Sequence, residues 1–177
     1  MNLLHDIDHG DALKMTVIIE IPKHSHNKYE IDKKTGLISL DRVLSSAQTF
    51  PFDYGFVPRT LWHDGDPLDV IVLTTSPLFP GILVRVRPVA IMHMNDSGYD
   101  DAKIISVPAD DPRWAHVKDL KNVNKHTIKE IEHFYVTYKQ LQGKKVVVSR
   151  FEGKAGAEKA FKESVVLYKK SRGKKKK

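Results

Sequence analysis

Apolar residues along this chain recur first at every second position and later at three- and four-residue intervals, which predicts strands up to about residue 108 and mainly helices beyond. Thr16-Val17-Ile18-Ile19-Glu20-Ile21-Pro22 reads as a first strand closed by its proline, and Glu20, a carboxylate among aliphatic neighbours, needs a partner there. Lys28 to Asp32 alternates, with Lys28 and Glu30 on one face and Tyr29 and Ile31 on the other. Lys33 to Gly36 then turns the chain into Leu37 to Arg42, a hairpin partner that brings Arg42 to the same face. Phe50 to Pro58 is aromatic and broken by proline and glycine, so it reads as an irregular buried connection in which the Tyr54 hydroxyl needs a polar partner. Val70-Ile71-Val72-Leu73 is a buried strand by composition. Val84 to Met92 and Ala102 to Pro108 answer each other across a loop from Asn95 to Asp101, and pairing that begins near Asp101 puts Asp101 and Lys103 on one face.

Past Pro108 the period lengthens. Asp110-Asp111-Pro112 marks a helix start for a short segment through Val117. Ile128, Ile131, Phe134, Tyr138 and Leu141 form one apolar stripe on a helix from Asn124 to Gln142, stopped by Gly143, with Tyr138 and Lys139 near its end. A short strand from Lys145 to Ser149 and a final helix from about Lys154 to Tyr168 complete the pattern.

The 177 residues suit a single domain, here residues 1–168, and no linker or repeat divides them. The net charge of +7 first suggests a polyanion partner, but seven basic residues without an acid lie in Lys169, Lys170, Arg172 and Lys174 to Lys177. Without those seven, 22 of the 29 basic residues remain to face 22 acidic ones, so the body is formally neutral and residues 169–177 are expected to form a disordered basic tail. The absence of cysteine excludes disulfides and thiolate metal sites, no apolar run approaches membrane-spanning length, and Met1 to Asp6 shows neither a basic start nor a long apolar core. A cytoplasmic protein with no membrane partner is the expectation. The nine histidines show no ligand spacing and are read as structural or exposed.

Asp64-Gly65-Asp66-Pro67-Leu68-Asp69 is the densest chemistry: three carboxylates in six residues, beside a glycine and a proline that permit a tight turn. Carboxylates so crowded stay ionised most readily around a hard divalent cation. A plain surface turn is the bland alternative. An EF-hand loop fails, because the positions that need glycine and glutamate hold Asp69 and Thr75. A phosphatase with an aspartyl-phosphate nucleophile stays open, although the segment before Asp64 lacks the helical period its fold requires.

Taken together, these residues resemble family I soluble inorganic pyrophosphatases of the prokaryotic type. Asp64-Gly65-Asp66-Pro67-Leu68-Asp69-Val70 is similar to that family's D-G-D-P-[hydrophobic]-D-[hydrophobic] signature, and the order of Glu20, Lys28-Tyr29-Glu30, Asp41-Arg42, Tyr54-Gly55, Asp96, Asp101 with Lys103, and Tyr138-Lys139 also fits. There are two departures: Phe50 stands where many relatives carry a phosphate-facing tyrosine, and Ser149-Arg150 replaces the usual Gly-Trp.

The resemblance implies a β-rich mixed α/β fold, with a five-stranded closed OB-type barrel, peripheral hairpins and two main helices packed against it. It implies Mg²⁺-dependent hydrolysis of diphosphate to two phosphates, several Mg²⁺ per site, and a homohexamer, with a dimer as the fallback. Asp64, Asp69 and Asp101 would hold a tight metal pair, Asp69 bridging, while Asp66 helps deprotonate the water between them. Asp96, Glu20 and Glu30 would serve metals that arrive with substrate. Lys28, Arg42, Tyr54, Lys103, Tyr138 and Lys139 would clamp phosphate oxygens. The same barrel is also an oligonucleotide-binding platform, but such a module would spread cations and aromatics over its sheet rather than gather seven carboxylates, so no specific nucleic acid is expected.

Overall fold

A run of seven residues buried from end to end, β1 (Met15–Ile21), lies at the middle of the computed structural model, which describes residues 1–174. Both of its edges are paired: antiparallel to β4 (Asp53–Phe56) on one side and to β6 (Leu83–Asp96) on the other. From β4 the pairing passes antiparallel to β5 (Asp69–Val72), then parallel to β8 (Lys103–Pro108), which runs antiparallel to β6. The far end of β6 also carries β7 (Tyr99–Asp100) and β9 (Val146–Gly153). A separate hairpin joins β2 (Asn27–Ile31) to β3 (Ile38–Val43) with Lys28 opposite Arg42. The architecture is strand-rich mixed α/β with two main helices, α1 (Lys125–Thr137) and α2 (Lys154–Lys174).

Side-chain alternation divides the core between the helices. Along β5, Ile71 joins Ile105, Phe50 and Phe52 in a cluster completed by Ile131, Phe134 and Tyr135 of α1. Its neighbours Val70 and Val72 point the other way, into a cluster with Ile104 and with Ala157, Phe161 and Val165 of α2. Burying each such aliphatic or aromatic side chain contributes about 1.5–3 kcal/mol, so a strand covered on both faces is held firmly. Glu20 finds its partner in the backbone N–H of Ile31, which donates at 2.8 Å and ties the β2–β3 hairpin to β1.

Several elements depart from the sequence pattern. The connection around Tyr54 is a regular four-residue strand, and Gly55 makes that possible: a Cβ there would lie 1.9 Å from the Ile18 carbonyl oxygen. The segment after Asp110 is only a 3₁₀ turn, Pro112–Trp114, capped by Asp111. Helix α1 ends at Thr137 rather than Gln142, a 3₁₀ turn follows, and Leu141 is exposed instead of extending the stripe. Helix α2 runs six residues beyond Tyr168, so residues 169–174 are helical and not disordered, while the expectation for 175–177 lies outside the described residues. Among the described residues no helix is long and apolar enough to cross a membrane.

The contact at Gly55 generates a prediction. Gly55→Ala pushes a methyl into main chain that cannot rotate away, so chemical denaturation is expected to show a loss of about 3 kcal/mol. An unchanged midpoint would contradict the close β1–β4 approach.

Candidate active site

Where the ends of β1, β4, β5, β6 and β8 meet the β2–β3 hairpin and the end of α1, they enclose a cavity of about 470 Å³. Every residue given a role by the resemblance lines it, from Glu20 on the first strand to Lys139 beyond the first helix. The parallel register sets Asp69 level with Lys103 at the start of their strands. Lys103 Nζ donates to Asp69 Oδ2 at 2.8 Å, to Asp101 Oδ1 at 2.8 Å and to the Tyr54 hydroxyl at 2.9 Å. All three ammonium hydrogens are thereby used, on a side chain only 4% exposed. Asp101 and Lys103 do come together, although Asp101 lies just before β8 and outside the strand.

Asp64 reaches the same point from the turn before β5. Gly65 adopts a φ of 90°, a left-handed conformation that glycine takes without penalty, and Asp66 N–H donates back to Asp64 Oδ1 at 2.9 Å. Oxygens of Asp64, Asp69 and Asp101 consequently lie within 4.8 Å of one another. Burial pushes the Asp64 carboxyl up to about 6, with Asp69 and Asp101 adding to the rise against the Asp66 amide. Burial likewise raises Asp69, against the pull of Lys103. Glu20 is pushed up to about 8 by burial and then by Asp69, while the Ile31 N–H resists. Burial works against the Lys103 charge, yet Asp101 and Asp69 outweigh it and hold the ammonium well above its ordinary value.

Opposite this cluster stand the cations. Lys28 and Arg42 face each other across the hairpin, both bound to Asp41: Lys28 Nζ at 3.3 Å and Arg42 Nη1 at 2.8 Å from the same oxygen. Lys28 also pairs with Glu30, and its pKa is lowered, by burial first, with Arg42 adding and Asp41 opposing. Lys139 pairs with Asp96 where the chain leaves α1. Burial alone would raise Asp96, but that lysine holds its carboxyl below the usual range.

Sequence reasoning passed over some of the lining. Lys33 looked like a turn residue, yet it reaches Asp66 in an ion pair. Tyr135 also lines the cavity; its place four residues after Ile131 on the buried stripe was the available signal. Phe50 lines the wall with a phenyl ring 4.9 Å from that of Phe134, so no hydroxyl is offered there. Ser149 and Arg150 lie on β9 and do not line the cavity; Arg150 Nε instead donates to Glu152.

In total the lining holds seven carboxylates against five cationic side chains: Lys28, Lys33, Arg42, Lys103 and Lys139. Oxygen donors in excess, some forced towards protonation, fit a hard divalent cation.

The inorganic pyrophosphatase family model matches residues 17–169. The inorganic pyrophosphatase of Leifsonia xyli subsp. xyli is 52% identical over 144 residues, covering 81% of this chain and 88% of that protein. Soluble inorganic pyrophosphatase 3 of Arabidopsis thaliana is 46% identical over 166 residues, covering 93% and 77%. The crystal structure of inorganic pyrophosphatase from Thermus thermophilus matches with a TM-score of 0.92 at 43% identity, covering 96% of this chain and 99% of that one. With the match running through nearly all its strands and both helices, the chain belongs to family I of the soluble inorganic pyrophosphatases and is a hydrolase.

Proposed function

We propose that this protein hydrolyses inorganic diphosphate to two phosphates, with Mg²⁺ bound by its acidic cluster. The observation that carries this is the charge imbalance of the cavity, seven carboxylates to five cations, beside a full set of phosphate donors. With its carboxylates ionised, such a cavity repels a diphosphate; with divalent cations added its sign reverses, and only then do the lysines and the arginine act together on the substrate.

Asp64, Asp69 and Asp101 would hold the tightly bound cations, Asp69 as the shared ligand, and Asp96, Glu20 and Glu30 would hold those that enter with substrate. Bound magnesium supplies neutralisation of phosphate oxygens and acidification of the attacking water. Asp66 takes up the proton as the water oxygen bonds to one phosphorus and the bridging P–O bond breaks. Arg42 presents a forked donor, and Lys28 stands beside it across the hairpin. Together with Tyr54, Lys103, Tyr138 and Lys139 they orient the phosphates and take up charge on the leaving group. The finer fold reading, a five-stranded closed barrel of the OB type, is supported by β1 pairing with both β4 and β6. A cytoplasmic homohexamer, or failing that a dimer, belongs to the same proposal.

Phosphate release from pyrophosphate is the test: turnover is expected with Mg²⁺ and not after chelation, and no release in either condition would sink the proposal. Two further outcomes follow from the cluster. Asp69→Asn should keep the circular dichroism spectrum while activity falls more than about a hundredfold, beyond the loss typical of changes outside the ligand shell. Near-native turnover would remove Asp69 from the metal set. Ca²⁺ takes six to eight oxygens at about 2.3–2.6 Å, whereas Mg²⁺ demands near-octahedral order at about 2.0–2.1 Å, so calcium should bind the same carboxylates and misplace the water. Added to the magnesium enzyme, with substrate kept in excess of calcium, it is expected to inhibit; equal turnover with either ion would contradict the geometry.

A further inference from the structure

Two buried hydrogen-bonding atoms of the cavity lining have no hydrogen-bond partner among the described residues, Arg42 Nε and Tyr135 Oη. The arginine is already accounted for by the proposed function; Tyr135 is not. Its side chain is almost wholly enclosed, on the last turn of α1. The ring is stacked on Phe52 with centroids 5.8 Å apart and is met edge-on by Phe134 and Tyr138 at 5.3 and 5.6 Å. Fixed on three sides, it cannot swing its hydroxyl out to bulk water. Lys103 Nζ lies 5.4 Å from the ring centroid, but its three hydrogens are committed to Tyr54, Asp69 and Asp101.

A buried hydroxyl left without a partner costs free energy, and a phenylalanine in its place would fill the same space without that cost. The hydroxyl is therefore a liability to folding unless something that enters the cavity satisfies it. Burial also raises the Tyr135 pKa well above the ordinary value, against Lys103, so the group stays protonated and able to donate. The other orphan, Arg42 Nε, is likewise a donor, so both call for the same kind of ligand: one rich in anionic oxygen.

We infer that Tyr135 Oη donates a hydrogen bond to a phosphate oxygen of the bound diphosphate, and of phosphate as product, a substrate contact additional to those named above. The inference rests on the proposed diphosphate hydrolysis. Its test is Tyr135→Phe in the full chain, with steady-state pyrophosphate hydrolysis, calorimetric binding of inorganic phosphate in the presence of magnesium, calorimetric binding of magnesium alone, and thermal unfolding. The expected result is a fivefold or greater rise in KM and in the phosphate Kd, with magnesium affinity unchanged and the unfolding temperature equal or higher. KM and phosphate Kd both within twofold of the unsubstituted protein would overturn it. So would a loss confined to magnesium affinity, which would make Tyr135 a support for the carboxylates and not a substrate contact. Absence of pyrophosphate turnover in the unsubstituted protein sinks the functional proposal separately. Phosphate binding then decides Tyr135, with equal affinities or no binding overturning the inference.

Discussion

Carboxylates whose oxygens approach within 4.8 Å repel one another by about 3 kcal/mol per ionised pair at an effective dielectric constant near 20. Asp64, Asp69 and Asp101 form three such pairs, and Lys103 alone, buried between two of them, offsets only part of the repulsion. Burial first, and this repulsion after it, raise the pKa values of Asp64 and Asp69, and Glu20 is pushed up by burial with Asp69 adding. The rest of the structure holds this unfavourable arrangement in place. Strand β5 begins at Asp69 and is fixed on both edges and both faces, the parallel neighbour β8 delivers Lys103 at the same level, and the Gly65 turn folds Asp64 back over them. A scaffold that spends stability on crowded like charges makes physical sense when a cation is part of the working state.

The cations of the cavity follow the same logic from the other side. Lys28 and Arg42 face each other across a hairpin fastened to the rest of the fold by the Glu20–Ile31 hydrogen bond, a small apolar cluster, Tyr29 packed against the larger core and the Lys33–Asp66 ion pair. Their mutual repulsion is tempered by Asp41, whose oxygen both reach. Acidic and basic groups from several elements thus converge on one volume, and the ion pairs of Lys28, Arg42 and Lys139 are ones that an anionic substrate or a metal can replace. Tyr135 differs because its hydroxyl has no hydrogen-bond partner among the described residues.

Much of this was legible in the sequence. The acidic turn, the partner demanded by Glu20 and the nearness of Asp101 to Lys103 all follow from local rules that act over a few residues. What escaped depends on packing between distant segments. Asp53–Phe56 did not look like a strand, since its pairing turns on Gly55 fitting against the Ile18 carbonyl, a contact across 37 residues of chain. The end of α1 was misplaced because Leu141 is apolar yet exposed, where the chain tightens into a 3₁₀ turn. Residues 169–174 extend α2 because lysine and arginine are good helix formers. Lys33 and Tyr135 entered the cavity unannounced because a turn lysine and a helix tyrosine acquire meaning only once the opposite wall is known.

The dependence of the site on a cation can be measured as protons. Asp64, with a carboxyl near 6, is partly protonated in the metal-free protein near pH 6 and must ionise to bind a metal, and burial shifts Asp69 in the same direction. Magnesium titrated calorimetrically into metal-free protein, in two buffers of different ionisation enthalpy, reports the protons displaced. Net release near pH 6 that fades by about pH 8 is the predicted result. Magnesium binding with no proton release near pH 6, or release that grows as the pH rises, would show that the crowded carboxylates are not what holds the ion.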